Sequence, residues 1–185
     1  MAGHDSRPEP ATQRTHQAVR AGLRLGTAGQ TTYGDRRRFD RQRSLRRAAA
    51  SAQDCGGKNV SLPLAWSNAP SETQSFAVTI FDPDGARGLG IVHWILYGIP
   101  AATTALGEGG PPPAGSVGGI NRTGKDGYYG PCPPHGDAPH HYVVQAYALD
   151  LAANALPAAL DRNALIAAMK GHVLASSSMV VRYAR

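Results

Sequence analysis

Chemically active side chains are concentrated in the stretch GPCPPHGDAPHHY, which spans residues 130–142. Thiolate and neutral imidazole are common zinc ligands, so one interpretation is a metal site with four candidate ligands: Cys132, His135, His140 and His141. The spacing C-x2-H-x4-H-H matches no standard zinc motif, and consecutive prolines stiffen the turn that would have to fold round a metal. The alternatives are a rigid loop that places histidines around an anion, and a simple turn between strands. We expect no metal here.

Other candidate residues lie in or beside neighbouring apolar runs. The motif FDPDG contains Asp82 and Asp84, although a strand that ends in an Asp-Pro-Asp-Gly turn would explain it without any function. His93 lies within an apolar run, where a lone histidine is more often a core residue than a ligand. Asp82 with His93 or His140 as general base could support hydrolysis, but no G-x-S-x-G nucleophile motif is present. We therefore expect no catalytic residues and no enzyme activity.

The segment GINRTGK, residues 119–125, has the spacing of a phosphate-binding P-loop. That motif needs Ser or Thr after the lysine, and this chain has Asp126 there. Proline and glycine precede the segment instead of a predicted strand, and DGYYGP follows it instead of a helix. We therefore do not interpret the segment as a nucleotide site.

Short apolar runs separated by turn residues predict a β-rich domain that positions these side chains. Three runs rich in β-branched and aromatic residues predict the strands Ser75–Phe81, Ile91–Ile99 and His141–Leu149. The segment Pro111–Gly130 is interpreted as a long Gly/Pro loop, and loops of that length often have a functional role. An amphipathic helix with Asp161 as its N-cap and Gly171 as its stop is predicted near the C-terminus, followed by a last strand.

Charge is distributed unevenly along the chain. The net charge is +6, but residues 1–50 contain 11 arginines against four acidic residues, whereas residues 51–185 contain eight basic and nine acidic residues. We expect residues 1–50 to form an arginine-rich, mostly disordered extension and residues 51–185 to form one domain. Because that domain is nearly neutral, we expect no nucleic-acid partner. No apolar run is long enough for a membrane span and no signal-peptide hydrophobic region is present, so the expected location is cytoplasmic.

Six motifs follow one another from residue 55 onward: CGGKNVSLPLAW, FDPDG, VHWILYGIP, GGINRTGKDGYYGPCPPHG, HHYVVQAYALD and GHVLA. In this order they resemble the phosphatidylethanolamine-binding protein family, in particular its bacterial YbhB/YbcL branch of Raf-kinase-inhibitor-like proteins. The resemblance implies a mainly β fold of two antiparallel sheets with a C-terminal helix. It also implies a small surface pocket for phosphate-like anions or phospholipid head groups, with no cofactor. Regulation of a kinase or protease through the pocket rim and the long loop Pro111–Gly130 is the alternative function.

The resemblance assigns the ligand-binding role to residues of three motifs: Asp82, Asp84, His93, Pro133, Pro134, His140 and Tyr142. Histidine and tyrosine would donate hydrogen bonds to phosphate oxygens, and the two prolines would form a rigid wall. Asp82 is expected to accept a hydrogen bond from a histidine and favour its charged form, or to meet the ligand's ammonium group.

The chain also departs from the family pattern. Gly85 and Ala86 replace the usual Ala-Pro, Leu62 replaces a frequent proline, and His141 occupies a position often held by arginine. Upstream of Cys55 the arginine-rich sequence stands where family members carry a strand-forming segment. We expect a frameshifted or misannotated start, in which case the early strands would be missing. The resemblance also brings Cys55 and Cys132 toward the same end of the sheets, where a disulfide could form.

Overall fold

Residues 22–26, 43–44, 49–51 and 55–185 are described by the computed structural model of the protein. In this part of the chain, apolar runs bounded by turn residues form nine strands and two short helices. In chain order these elements are β1 (Arg24–Gly26), β2 (Arg43–Ser44), β3 (Leu64–Ser67), β4 (Ser75–Asp82), α1 (Gly85–Gly88), β5 (Ile91–Pro100), β6 (Ala105–Leu106), β7 (Val117–Gly118), β8 (His140–Leu149), α2 (Arg162–Ala168) and β9 (Val173–Tyr183).

The larger sheet has six strands in the order β2-β9-β8-β4-β5-β7. Its pairings are antiparallel except that of β2 with β9, which is parallel. β4 lies between β8 and β5 and is buried along almost its whole length, as is typical of a strand covered on both faces. Asp82 at the end of β4 pairs with Ile91 of β5, and Phe81 pairs with Val143 of β8. The end of β4 and the beginnings of β5 and β8 therefore meet at one end of the sheet.

The smaller sheet has the order β1-β3-β6 and is antiparallel. The main core contains residues of both sheets, including Trp66 of β3 and Phe76 of β4, whose ring centroids are 5.2 Å apart. A second apolar cluster joins Ile95 and Tyr97 of β5 to Leu165 of α2. Since side chains alternate along a strand, the larger sheet contributes to one cluster from each face. The expected mainly β fold with two antiparallel sheets is confirmed.

The predicted elements agree closely with the observed ones. The three predicted strands are β4, β5 and β8, each one residue longer than expected, and the predicted last strand is β9. The predicted helix is α2, whose N-cap Asp161 accepts a hydrogen bond from the backbone N–H of Ala164 at 2.8 Å. The predicted long loop over residues 111–130 is not loop throughout, because the two-residue strand β7 lies inside it and pairs with β5.

The described part of the first fifty residues does contact the domain. β1 pairs with β3, β2 pairs with β9, and Leu23 and Ala49 belong to the main core. The expectation that the early strands are missing is therefore wrong, and this described part also contributes side chains to the core. Most of the arginine-rich region lies outside the described residues, and the predicted domain boundary at residue 50 stays a prediction.

Two further features concern the cysteines and the length of the helices. Cys55 and Cys132 form a disulfide with a Cα–Cα distance of 5.5 Å, so their predicted proximity is confirmed. In the part of the chain that the structure describes, no helix is both long and apolar enough to cross a membrane.

Candidate functional site

The candidate site lies where the end of β4 meets the beginnings of β5 and β8. Four of the predicted site residues come together there, and all four are buried: Asp82, His93, His140 and Tyr142. The register of the three strands explains their convergence. Asp82 is the last residue of β4, and the other three residues lie within the first three positions of β5 or β8.

Asp82 is the buried carboxylate at the centre of this cluster. Its Oδ2 accepts a hydrogen bond from His140 Nδ1 at 2.8 Å, and its Oδ1 accepts from the backbone N–H groups of Asp84 and Gly85 at 2.9 and 3.0 Å. Burial alone would raise the pKa of Asp82, but the neighbouring histidines and the Gly85 N–H lower it below 3.8. Asp82 is therefore an ionised acceptor, and the hydrogen bond expected from a histidine is present.

The glycine at position 85 has a steric explanation in this structure. A Cβ at Gly85 would lie 2.7 Å from Cδ1 of Ile91 and 3.0 Å from Oδ2 of Asp82. The turn therefore packs closely against β5 and against the carboxylate at this position.

His140 is held between two carboxylates. Because an ionised carboxylate can only accept, Nδ1–H must donate to Asp82, and this fixes the orientation of the ring. The other nitrogen, Nε2, lies 3.5 Å from Oδ2 of Asp137, a half-exposed residue three positions earlier. Burial lowers the pKa of His140, but the hydrogen bond and charge of Asp82, together with Asp137, raise it above 6.5. The site therefore favours the charged imidazolium at His140.

His93 has one nitrogen engaged and one without a protein partner. Its Nδ1 lies 2.7 Å from the backbone oxygen of Tyr129, and since a carbonyl oxygen only accepts, Nδ1 carries the proton. Its Nε2 is buried, lies 3.9 Å from Oδ2 of Asp82, and has no hydrogen-bond partner among the described residues. The neutral ring therefore presents an acceptor, and the charged ring a donor, toward the cluster.

Tyr142 supplies a second buried polar atom without a partner. Its hydroxyl oxygen makes no hydrogen bond to any residue that the structure describes. Its ring centroid is 5.1 Å from that of His93 and 6.5 Å from that of His140. Burial, and then the negative charge of Asp82, raise the pKa of the Tyr142 hydroxyl well above 10. The hydroxyl therefore stays protonated and can donate.

The other three predicted site residues lie outside this buried cluster. The carboxylate of Asp84 accepts hydrogen bonds from the backbone N–H and from Nδ1 of His141, at 2.7 and 2.8 Å, and both side chains are 43% exposed. The backbone hydrogen bond from His141 is the main cause that lowers the pKa of Asp84, and the side-chain hydrogen bond from the same residue is the second. Pro133 is buried and Pro134 is exposed. Of the two prolines, only Pro133 is buried as an inner wall would be.

The segment in front of β8 is fixed to the rest of the domain by several contacts. Tyr129 N–H donates to the backbone oxygen of His93 at 2.8 Å, so these residues are bonded in both directions. Asn59 donates from Nδ2 to Tyr128 O and accepts from Gly130 N–H, each at 2.8 Å. The disulfide of Cys132 adds a covalent link two residues further on. The histidine at position 93 is thereby held against a well-anchored loop.

Tyr129 and Asp137 are the contributors that the sequence did not reveal. Tyr129 acts through its backbone oxygen, which leaves no mark in the residue types. Asp137 could have been noticed as an acidic residue three positions before His140 in a turn-rich segment. Spacing alone, however, does not show how the turn folds, and therefore not whether the carboxylate reaches the histidine.

The two weaker sequence interpretations can also be compared with the geometry. Cys132 is bonded to Cys55, so its sulfur is not available as a thiolate ligand. Across the described ranges, no group of three or more His, Cys, Asp or Glu residues is arranged to hold a metal ion. The segment 119–125 directly follows the short strand β7, so the expectation that no strand precedes it is wrong. It forms a turn in which Asn121 N–H donates to Lys125 O, and no helix follows it directly.

Comparisons with known proteins give a consistent result. The family model described as phosphatidylethanolamine-binding protein matches residues 36–184. A UPF0098 protein of Methanothermobacter thermautotrophicus is 39% identical over 139 residues, which are 73% of this chain and 89% of the relative. The UPF0098 protein YbcL of Escherichia coli K12 is 46% identical over 101 residues, 51% of this chain and 55% of YbcL. The crystal structure of E. coli YbcL, described as a member of the mammalian PEBP family, superimposes with a TM-score of 0.75 at 30% identity, covering 89% of this chain and 99% of YbcL.

Proposed function

Because the chain belongs to the phosphatidylethanolamine-binding protein family, we propose that it binds small phosphate-containing anions or phospholipid head groups at the cluster of Asp82, His93, His140 and Tyr142. The observation that carries this proposal is the pair of buried polar atoms, His93 Nε2 and Tyr142 Oη, that have no partner among the described residues and flank an oriented histidine. Buried polar atoms are nearly always hydrogen-bonded, so such a pair points to a ligand or to ordered water.

Each side chain has a definite role in this proposal. His140 donates a charge-assisted hydrogen bond from Nε2 to a phosphate oxygen, while Tyr142 donates from its hydroxyl. His93 accepts from a protonated phosphate oxygen when it is neutral and donates when it is charged. Asp82 does not touch the anion but holds the His140 ring and favours its charged form.

Binding is favoured over hydrolysis by the state of Asp82. Its carboxylate accepts hydrogen bonds from His140 and from two backbone N–H groups, which orients the cluster, and the four clustered side chains include no serine, threonine or cysteine that could act as a nucleophile. Regulation of a kinase or protease remains the family-derived alternative and stays a prediction.

Calorimetry with inorganic phosphate on wild type and His140→Ala tests the proposal. Losing a charge-assisted hydrogen bond costs about 1.5–3 kcal/mol, so the affinity is expected to fall roughly ten- to hundredfold. His172→Ala is the matched control, because His172 also pairs with an aspartate through Nδ1 at 2.8 Å but lies at the opposite end of β8. Equal phosphate affinity in wild type and His140→Ala would rule the site out.

The disulfide bears on where this function takes place. A cytoplasmic location was expected from the sequence and stays a prediction. The Cys55–Cys132 bridge favours an oxidising compartment, because disulfides are rare in the cytosol. Trapping free thiols in intact cells distinguishes the two: labelled cysteines would support the cytoplasm, and unlabelled cysteines an oxidising compartment.

A further inference from the structure

One contact of the site is made by a side chain that belongs neither to the sheets nor to the family motifs. Asp137 lies on the exposed segment 134–139, which joins the anchored loop to β8. Its Oδ2 is 3.5 Å from Nε2 of His140, and its side chain is half exposed. Nε2 is the ring nitrogen of His140 that is not bonded to Asp82.

A carboxylate and a phosphate compete for the same donor at this position. Nε2 carries a single N–H, and both anions accept from it with similar geometry. Asp82 does not compete in this way, since its oxygens are occupied by Nδ1 and by the turn N–H groups. A phosphate that binds Nε2 of His140 therefore competes with Asp137, and full binding displaces the carboxylate from this 3.5 Å ion-pair contact.

The segment that carries Asp137 is built so that this displacement is local. It is fixed at one end by the disulfide of Cys132 and at the other by the pairing of His140 with Tyr183 of β9. Between these points residues 134–139 are exposed, and Gly136 has a φ of +87° with no neighbour where a Cβ would be. The backbone contact of the turn, Asp137 N–H to Pro134 O, is 3.4 Å long. Rotation of the Asp137 side chain toward solvent requires no change in the strands.

We propose that Asp137 acts as an internal competitor at His140 and thereby selects zwitterionic ligands, which carry a cationic group beside the phosphate, over purely anionic ones. A simple phosphate displaces the carboxylate and then remains next to its negative charge. A ligand with an ammonium group offers that displaced carboxylate a new partner. This inference rests on the function proposed above and assigns its specificity to one residue outside the buried cluster.

The test uses Asp137→Asn, which keeps the size of the side chain and removes its charge. Inorganic phosphate and phosphoethanolamine are titrated calorimetrically into wild type and the variant at the same pH and salt. The ion pair is partly exposed, so we expect phosphate to bind about two- to fivefold more tightly to Asp137→Asn. Phosphoethanolamine should bind to the variant no more tightly than to wild type. The ratio of the phosphoethanolamine affinity to the phosphate affinity should therefore fall by a similar factor or more.

Asp150→Asn is the matched control, because Asp150 is an exposed aspartate paired with a histidine at the opposite end of β8. Phosphate binding by Asp137→Asn with none detected in wild type would also support the inference. If wild type binds phosphate through His140 but Asp137→Asn leaves affinity and preference unchanged, the inference alone fails. The same holds if Asp150→Asn reproduces the effect. If no protein binds either compound, the inference and the proposed function fail together.

Discussion

Replacing Asp82 by asparagine tests the electrostatics of the site through stability, without any ligand. The variant keeps the shape of the side chain and keeps an oxygen for the N–H groups of Asp84 and Gly85. It removes the charge that lies 2.8 Å from Nδ1 of the buried His140. A charge-assisted hydrogen bond contributes about 1.5–3 kcal/mol, so the free energy of unfolding should fall by about that amount.

The dependence of this loss on pH follows from the two pKa shifts. The raised pKa of His140 contributes stability that is complete below 6.5 and is lost as the pH rises through the folded-state value. The lowered pKa of Asp82 contributes stability that is present above 3.8 and is lost as the pH falls through the folded-state value. The difference between wild type and Asp82→Asn should therefore be largest between pH 3.8 and 6.5, and should decrease on either side.

Urea denaturation at several pH values measures this difference, with Asp150→Asn as the control. Asp150 accepts from His172 Nδ1 at the same 2.8 Å, but both side chains are exposed by 40% or more, so its loss should cost less than about 1 kcal/mol. If the two variants lose the same small amount at every pH, the buried ion pair does not have the role assigned to it.

Three further changes have expected outcomes. Tyr142→Phe removes a buried hydroxyl that has no hydrogen-bond partner in the described chain, so urea denaturation should show an unchanged or higher free energy of unfolding. Calorimetry should show weaker phosphate binding by the variant. A clear loss of stability would mean that the hydroxyl has a partner within the protein. Reducing the Cys55–Cys132 bridge, which spans a sequence separation of 77, should lower the free energy of unfolding by up to about 4.5 kcal/mol, and an unchanged urea midpoint after verified reduction would contradict this. Leu165→Ala should cost about 2–5 kcal/mol because Leu165 is fully buried under β5, and a cost below about 1 kcal/mol in the same assay would count against that packing.

The strands that build the site were predictable because their patterns are local. β4, β5 and β8 are rich in β-branched and aromatic residues and end at turn residues, so composition and length were sufficient to locate them. β1 was not predictable in this way. It has only three residues within arginine-rich sequence, and its pairing with β3 is what makes it a strand.

The sequence predicted which residues form the site better than it predicted the hydrogen bonds between them. The family motifs brought His93, His140 and Tyr142 into one prediction, and their convergence follows from strand order. The same motifs grouped Asp84 with them, but its carboxylate bonds to the partly exposed His141 instead. The hydrogen bond from His93 to the backbone of Tyr129 depends on the path of a loop, and residue types do not encode that path.

The most direct test of the central claim is a proton–nitrogen NMR spectrum of the histidine side chains during titration with inorganic phosphate. The ring signals of His140 and His93 should shift saturably and with the same dissociation constant as calorimetry gives, while those of His172 stay in place. Phosphate binding should also weaken as the pH rises through the raised pKa of His140. Unchanged His140 signals at saturating phosphate, or equal shifts of all three histidines, would contradict the assignment of this cluster as the anion-binding site.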